Sequence, residues 1–274
     1  MSIAPDWAGR SGDAWTRRWR ELDAALSGLA PQLHRLILDG GPTGPFRAVD
    51  IGCGAGSTTR ALARDRCDAE ITACDLSSSL ALLAKDRLAA FESVRVFNGD
   101  AVEIAVRQSP IDLMYSRHGV MFFDDPVEAF STLRGATSDH ATLVFSCFQD
   151  WRSNPWASEV ASAAAGRALA APGREAGGFA FADSDYVSKL LKETGWNRAE
   201  VRDAPFQYVA GTGSKAVEQA MEFLSEIGPA SRVLEGMTDV DRGHAEERMY
   251  RVIEQHRAGK SVMFPASAWL WSAT

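Results

Sequence analysis

The sequence predicts an α/β fold built on a doubly wound, mostly parallel sheet, and three observations carry that prediction. From residue 46 onward, short apolar runs alternate with amphipathic stretches, the pattern of strands covered by helices on both faces. A glycine-rich run, Gly52-Cys-Gly-Ala-Gly56, follows the first apolar run directly and opens onto a helix. A second apolar run ends on an acid, Asp75, about one β-α-β unit later.

The elements follow in order. Residues 14–29 carry Trp15, Trp19, Leu22, Leu26 and Leu29 at steps of four and three, one face of an amphipathic helix. Gly40-Gly-Pro-Thr-Gly-Pro45 then breaks the chain. This divides an N-terminal helical segment (1–45), expected to act as a lid, from a main domain (46–274). Strands are expected at 46–51, 70–75, 94–97, 111–116 and 142–148, with helices from Ser57 and Ser77 and over 102–107 and 126–136. Pro126 suits a first helical position behind Asp124 and Asp125, which can cap the free amides.

Residues 149–183 interrupt this rhythm with Trp151, Asn154-Pro-Trp156, an alanine-rich run (Ala161 to Ala171), Pro172-Gly173 and the glycine pair Gly177-Gly178, so an inserted helix and loop are expected there. A helix at 185–194 stopped by Gly195 and a strand at 201–209 resume it. A second insertion at about 212–260 holds amphipathic stretches at 214–227 and 239–257. The last strand, 262–271, is apolar enough for burial in the sheet.

Composition narrows the function. The chain has 274 residues with a formal net charge of −7 and no Lys/Arg cluster, which disfavours a nucleic-acid partner. No apolar run approaches the roughly 20 residues that span a bilayer, and the first ten residues do not read as a signal peptide. Cys53, Cys67, Cys74 and Cys147 have no C-x-x-C spacing and read as reduced thiols, so a cytoplasmic protein is expected. His34, His140, His244 and His256 share no metal-like spacing, and no metal site is expected. A homodimer is neither required nor excluded.

Such a loop and acid bind a nucleoside cofactor, and the glycine spacing says which. Dinucleotide sites use G-x-G-x-x-G, whose third glycine lets the helix face a pyrophosphate. Here the glycines are Gly52, Gly54 and Gly56, and Ser57 stands in the third dinucleotide place. Asp50, two residues before the first glycine, is poorly placed for a pyrophosphate and well placed for an ammonium group. With these residues the chain resembles the class I S-adenosylmethionine (SAM)-dependent methyltransferases, specifically over 46–150 and by pattern beyond. The resemblance implies a Rossmann-like seven-stranded sheet with an antiparallel last strand.

It also implies a set of SAM contacts. Gly52, Cys53, Gly54 and Gly56 form the loop against the methionine moiety, and Asp50 lies beneath it. Asp75 accepts from the ribose diol, and Leu76 packs on adenine. Asp100 accepts from the adenine amino group while Ala101 offers a backbone N–H, and the Ser116 carbonyl faces the ammonium. Each has a plainer alternative: Asp75 as a helix cap, Asp100 as a turn residue, Leu76 as core.

Methyl transfer is an in-line displacement that needs positioning and dryness more than acid–base groups. A poorly acidic hydroxyl or carbon acceptor still needs a base, and His118, beyond the fourth strand, is the candidate; a loop histidine bonded to backbone is the alternative. Similar family segments carry an aromatic residue here. Arg117 suits a substrate carboxylate or an ion pair with Asp124 or Asp125. Trp15, Trp19, Phe122 and Trp151, with Phe123 and Trp156, would line an apolar substrate pocket if the first helix and the insertion both cover the cleft.

The function expected is therefore methyl transfer from SAM to a small, largely apolar metabolite at O, C or N. A SAM-using cyclase or lyase, or an idle SAM-binding module, stands as the alternative. A nicotinamide oxidoreductase ranks last, because Ser57 breaks the glycine pattern and no catalytic Tyr/Lys or His pairing is evident.

Overall fold

A computed structural model describes residues 6, 7 and 9–274. The chain opens with helices α1 (Arg10–Arg17), α2 (Trp19–Ala25) and α3 (Ala30–Gly40). There follow β1 (Phe46–Ile51), α4 (Ser57–Asp65), β2 (Ala69–Asp75), α5 (Ser78–Leu88), β3 (Val94–Asn98), α6 (Ala101–Gln108) and β4 (Ile111–Arg117). Next come α7 (Pro126–Gly135), β5 (Thr137–Phe148), α8 (Pro155–Ala165), α9 (Ser184–Glu193) and β6 (Glu200–Thr212). The chain ends with α10 (Ala216–Glu226), α11 (Pro229–Leu234), α12 (Asp239–Gln255), β7 (Arg257–Ala258) and β8 (Ser261–Ala273).

The sheet runs β3-β2-β1-β4-β5-β8-β6. Pairs among β1 to β5 are parallel, whereas β8 lies antiparallel between β5 and β6. This is the expected α/β architecture with one addition, the two-residue β7, which pairs with the start of β8 and makes an eighth strand. The chain leaves β1 toward β2 and β3 on one side and returns to β4 on the other. The carboxyl ends of β1 and β4 therefore border a switch point, where ligands of such sheets bind.

Local sequence explains the boundaries. Ser77, Asp100, Asp125, Asp183 and Thr238 each accept a backbone N–H at a helix start, satisfying amides that have no intrahelical partner. Pro126 and Pro155 open α7 and α8, and Gly166 closes α8 in the left-handed conformation.

The N-terminal helix expected over 14–29 is broken in two at Arg18, which serves as end cap of α1 and start cap of α2. A third helix, α3, was not foreseen. Leu22, Ala25 and Leu26 of the second helical stretch and Leu33, Leu36 and Ile37 of α3 are buried in the main core, and α3 packs on β5. The α1 helix packs on α5, and Gly12 sits so close to Ser77, two residues past the end of β2, that a Cβ there would meet the Ser77 Oγ at 2.4 Å.

Candidate active site

Asp50 is the penultimate residue of β1 and is 1% exposed. Its Oδ2 accepts from the Thr59 hydroxyl of α4 at 2.5 Å, while Oδ1 is buried without a partner among the described residues. Burial pushes the carboxyl up to about 7, against the downward pull of Thr59 and of the Arg117 charge. A half-satisfied buried carboxylate at a switch point is suited to a cation.

The loop above it has spent most of its donors. Cys53 N–H donates to the Cys74 carbonyl, Gly56 N–H to the Cys53 carbonyl, and Gly54 N–H to Asp75 Oδ2 at 2.8 Å. A loop whose amides turn inward makes no cradle for a pyrophosphate. Two of the glycines are there for packing: a Cβ on Gly52 would stand 3.2 Å from Gly119 Cα, and one on Gly56 would stand 2.8 Å from the Leu88 side chain. Gly54, at φ +54°, has nothing within 4 Å of that position and faces open space.

Asp75 ends β2, and both of its oxygens accept backbone N–H bonds, from Gly54 at 2.8 Å and Ser77 at 2.9 Å. Burial raises its carboxyl above the usual range, although those two bonds oppose the shift. Each oxygen keeps a further lone pair. The helix cap itself is Ser77, whose hydroxyl accepts from Leu80 N–H. Leu76 is 52% exposed, and Phe97 beside it is also exposed. Asn98, a residue whose part the sequence did not reveal, donates to the carbonyls of both Asp75 and Leu76 at 3.0 Å and fixes this turn. Asp100 caps α6 through Oδ1, on Val102 and Glu103 N–H, and leaves Oδ2 unspent. Ala101 is the half-buried first residue of that helix.

At the end of β4, Ser116 is fully buried. Its hydroxyl donates to the Ile51 carbonyl at 2.7 Å and accepts Gly119 N–H, stapling β4 to the end of β1. His118 has φ +64°, a left-handed conformation unusual outside glycine and asparagine. Its ring is 5% exposed, Nδ1 meets the Ser146 hydroxyl at 2.8 Å, and Nε2 is buried without a partner among the described residues. Burial, helped by the Arg117 charge, lowers this imidazole to about 3.

Arg117 pairs with neither Asp124 nor Asp125, contrary to the local ion pair expected. Asp125 is spent capping α7, and the partner is Asp23 of α2, at 3.1 Å. Asp23 also holds Arg87 of α5 at 2.9 Å, and Arg87 donates to the Ala55 carbonyl in the glycine loop.

The aromatic residues divide into two clusters. Trp15 and Phe122 are joined edge-on through Trp7, at centroid distances of 5.1 and 4.8 Å. Trp151 and Trp156 pack instead with Phe179 and Phe148, and Phe148 lies 4.1 Å from the His118 ring. Trp19 belongs to neither, because its ring is covered by the guanidinium of Arg87 at 4.0 Å and of Arg20 at 4.4 Å. Trp7 carried no periodic signal, and Asp23, one turn after Trp19, was the legible hint of a second contact from that helix. Two surface hollows, of about 390 and 320 Å³, are lined by Arg174 and Tyr186 and by Arg152 and Leu169 respectively, away from the glycine loop.

Residues 49–145 match a family model described as a methyltransferase domain. A malonyl-(acyl-carrier protein) O-methyltransferase of Halalkalibacterium halodurans is 31% identical over 108 residues, 38% of this chain and 40% of that protein. A demethylmenaquinone methyltransferase of Staphylococcus aureus is 27% identical over 100 residues, 36% of this chain and 42% of that protein. The chain thus spans about two fifths of the length of the curated relatives it matches. A Haemonchus contortus phosphoethanolamine N-methyltransferase, solved with S-adenosylhomocysteine, has the same fold at a TM-score of 0.58 and 16% identity, over 100% of this chain and 60% of that one. Residues 49–145, which hold the glycine loop and the acids Asp50, Asp75 and Asp100, are thus similar to methyltransferase domains, and the strand order is that of the solved methyltransferase above.

Proposed function

We propose that the protein transfers a methyl group from SAM to a small, largely apolar acceptor at oxygen, carbon or nitrogen. The observation that carries this reading is Asp50: a buried carboxylate with one unpartnered oxygen, under a loop whose amides are turned inward, suits an ammonium and not a phosphate. Asp50 and the Ser116 carbonyl would hold the ammonium, the remaining lone pairs of Asp75 the ribose diol, and Leu76 the adenine face, with Asp100 Oδ2 and Ala101 N–H on the adenine edge. SAM, when bound, supplies an electrophilic methyl on its sulfonium.

The chain's part is to orient the acceptor and exclude water. The α1 helix roofs the end of β2 through Gly12 and through Thr16 Oγ1, which donates to Ser79 Oγ at 3.0 Å, and Trp7, Trp15 and Phe122 form an apolar wall beside it. His118 is neutral throughout the physiological range, so it serves as a hydrogen-bonding group, or as a weak base, through Nε2. The names of the two curated relatives put a carboxylate oxygen and a quinone-type ring in view as acceptors. Among the described residues no helix is long and apolar enough to cross a membrane, and the four cysteines are free, as suits the cytoplasm where we place the reaction.

Calorimetry with S-adenosylhomocysteine tests the cofactor: a micromolar Kd is expected, and no heat would end the proposal. Mass spectrometry of products from phenols and quinols tests the transfer, which requires a gain of one CH₂. For His118→Phe, the expected result is at least tenfold slower turnover with cofactor affinity unchanged. Unaltered turnover removes His118 from the mechanism. Because its folded pKa lies below its unfolded one, the wild-type protein loses this group's stabilisation as pH falls from about 6.5 toward 3. Melting curves at pH 5 and pH 7.5 should therefore differ less for the Phe variant.

A further inference from the structure

Arg87 and Arg117 converge at the glycine loop from two different elements, and a single carboxylate, Asp23, bridges them. Both guanidiniums and Asp23 are largely buried. Arg87 reaches the loop through the Ala55 carbonyl, and Arg117 through the Ser57 hydroxyl at 3.2 Å, on the first residue of α4. The face of Arg87 is covered by Trp19, one helical turn before Asp23, so α2 holds this guanidinium by an indole and by a carboxylate. Each guanidinium spends one N–H on the loop and one on Asp23, and its other donors are without a protein acceptor in the hydrogen bonds described. Two buried cations sharing one anion leave positive charge to be met at this spot.

Resting on the SAM reading above, we propose that Arg87 and Arg117 form the carboxylate site for the amino-acid end of the cofactor, and that Asp23 is the carboxylate they hold in its stead. The geometry behind this is covalent. An α-amino acid bears its ammonium and its carboxylate on one carbon, so a site that takes the ammonium at Asp50 and Ser116 needs a cation within a few ångströms. Arg117 is the residue after Ser116, and its charge is felt at Asp50. A planar guanidinium fork matches a carboxylate in two parallel hydrogen bonds, which a lysine could not offer. Asp23 then ties occupancy of the site to α2: a ligand carboxylate that takes over its donors loosens the helix from the loop.

The test compares S-adenosylhomocysteine with its decarboxylated analogue by calorimetry. The wild-type protein should prefer the carboxylate-bearing ligand about thirtyfold, as for hydrogen bonds to a charged group. Arg117→Gln should reduce that preference to threefold or less while weakening the decarboxylated analogue little, and Arg117→Lys should fall between. Asp23→Asn, which frees the guanidiniums without removing them, should raise the preference. Equal binding of the two ligands by the wild-type protein overturns the proposal. So does a preference that survives both Arg117→Gln and Arg87→Gln, or one that Asp23→Asn leaves unchanged or lowers. If neither ligand binds the wild-type protein, it is the SAM reading that has failed, and the carboxylate site with it.

Discussion

Asp75→Asn should weaken S-adenosylhomocysteine binding about a hundredfold and lower the melting temperature by several degrees. Both effects come from one geometric fact. The two carboxylate oxygens accept from different backbone donors, Gly54 N–H and Ser77 N–H. An asparagine has only one acceptor oxygen, so whichever way it turns, its NH₂ faces one of those N–H groups. A buried donor left unpaired costs about 1–3 kcal/mol, and for a chain of this size each kcal/mol moves the midpoint by about 2–4 °C. The loss of affinity has a separate source. A ribose diol donates two hydrogen bonds to a charged acceptor, each worth about 1.5–3 kcal/mol, and the neutral amide forfeits most of that. Asp100→Asn is the control. Its cap on α6 uses Oδ1 alone, which an amide oxygen can reproduce, so the fold should be nearly unaffected while adenine selectivity falls. Calorimetry and thermal melts on both variants read the two effects apart. Affinity within threefold of wild type for Asp75→Asn would remove Asp75 from the ribose site.

The sheet was legible because parallel strands buried on both faces write themselves as short apolar runs between amphipathic stretches. The positions of Asp50, Gly52, Gly54, Gly56 and Asp75 were legible for the same reason: each sits at a strand end or in the turn directly after it, where local sequence sets position. What could not be read depends on long-range packing. The Trp15-to-Leu29 stripe continues across Arg18 without a gap, and periodicity does not register a single residue out of helical conformation. The start of α3 did carry a signal, Pro31 in its first turn, but it fell inside what looked like the approach to a glycine-rich break. Arg117 had two acids within eight residues, yet its partner lies 94 residues away, because the cap of α7 had the stronger claim on Asp125. Trp19 follows the same logic. Its helical spacing placed it beside Trp15, but the surface it meets is a guanidinium from α5, and a tryptophan's spacing says nothing about what faces it.

Asp50→Asn should abolish two opposite pH dependences at once. In the folded protein Asp50 titrates near 7, against an ordinary carboxyl at 3.8, and the first cause is burial. A folded pKa above the unfolded one means that the folded state holds its proton more tightly. This stabilisation is fully present below about pH 4 and is lost as pH rises toward 7, on the order of a few kcal/mol across the window. Asparagine cannot ionise, and its amide oxygen can still accept from Thr59, so the variant should melt above the wild-type protein at pH 8 and differ less at pH 5. Ligand binding runs the other way. An ammonium needs the carboxylate, so it competes with the proton, and wild-type affinity for S-adenosylhomocysteine should climb up to tenfold per pH unit below about 7 and level off above it. For the variant the binding curve should be flat and weaker by one to two orders of magnitude at pH 8. The pair of measurements is decisive because a merely structural carboxylate predicts only the first. A variant that gains stability at high pH yet binds S-adenosylhomocysteine as tightly as wild type would leave Asp50 a buried acid of the core, and the ammonium would have to find its partner elsewhere on the β4 side of the cleft.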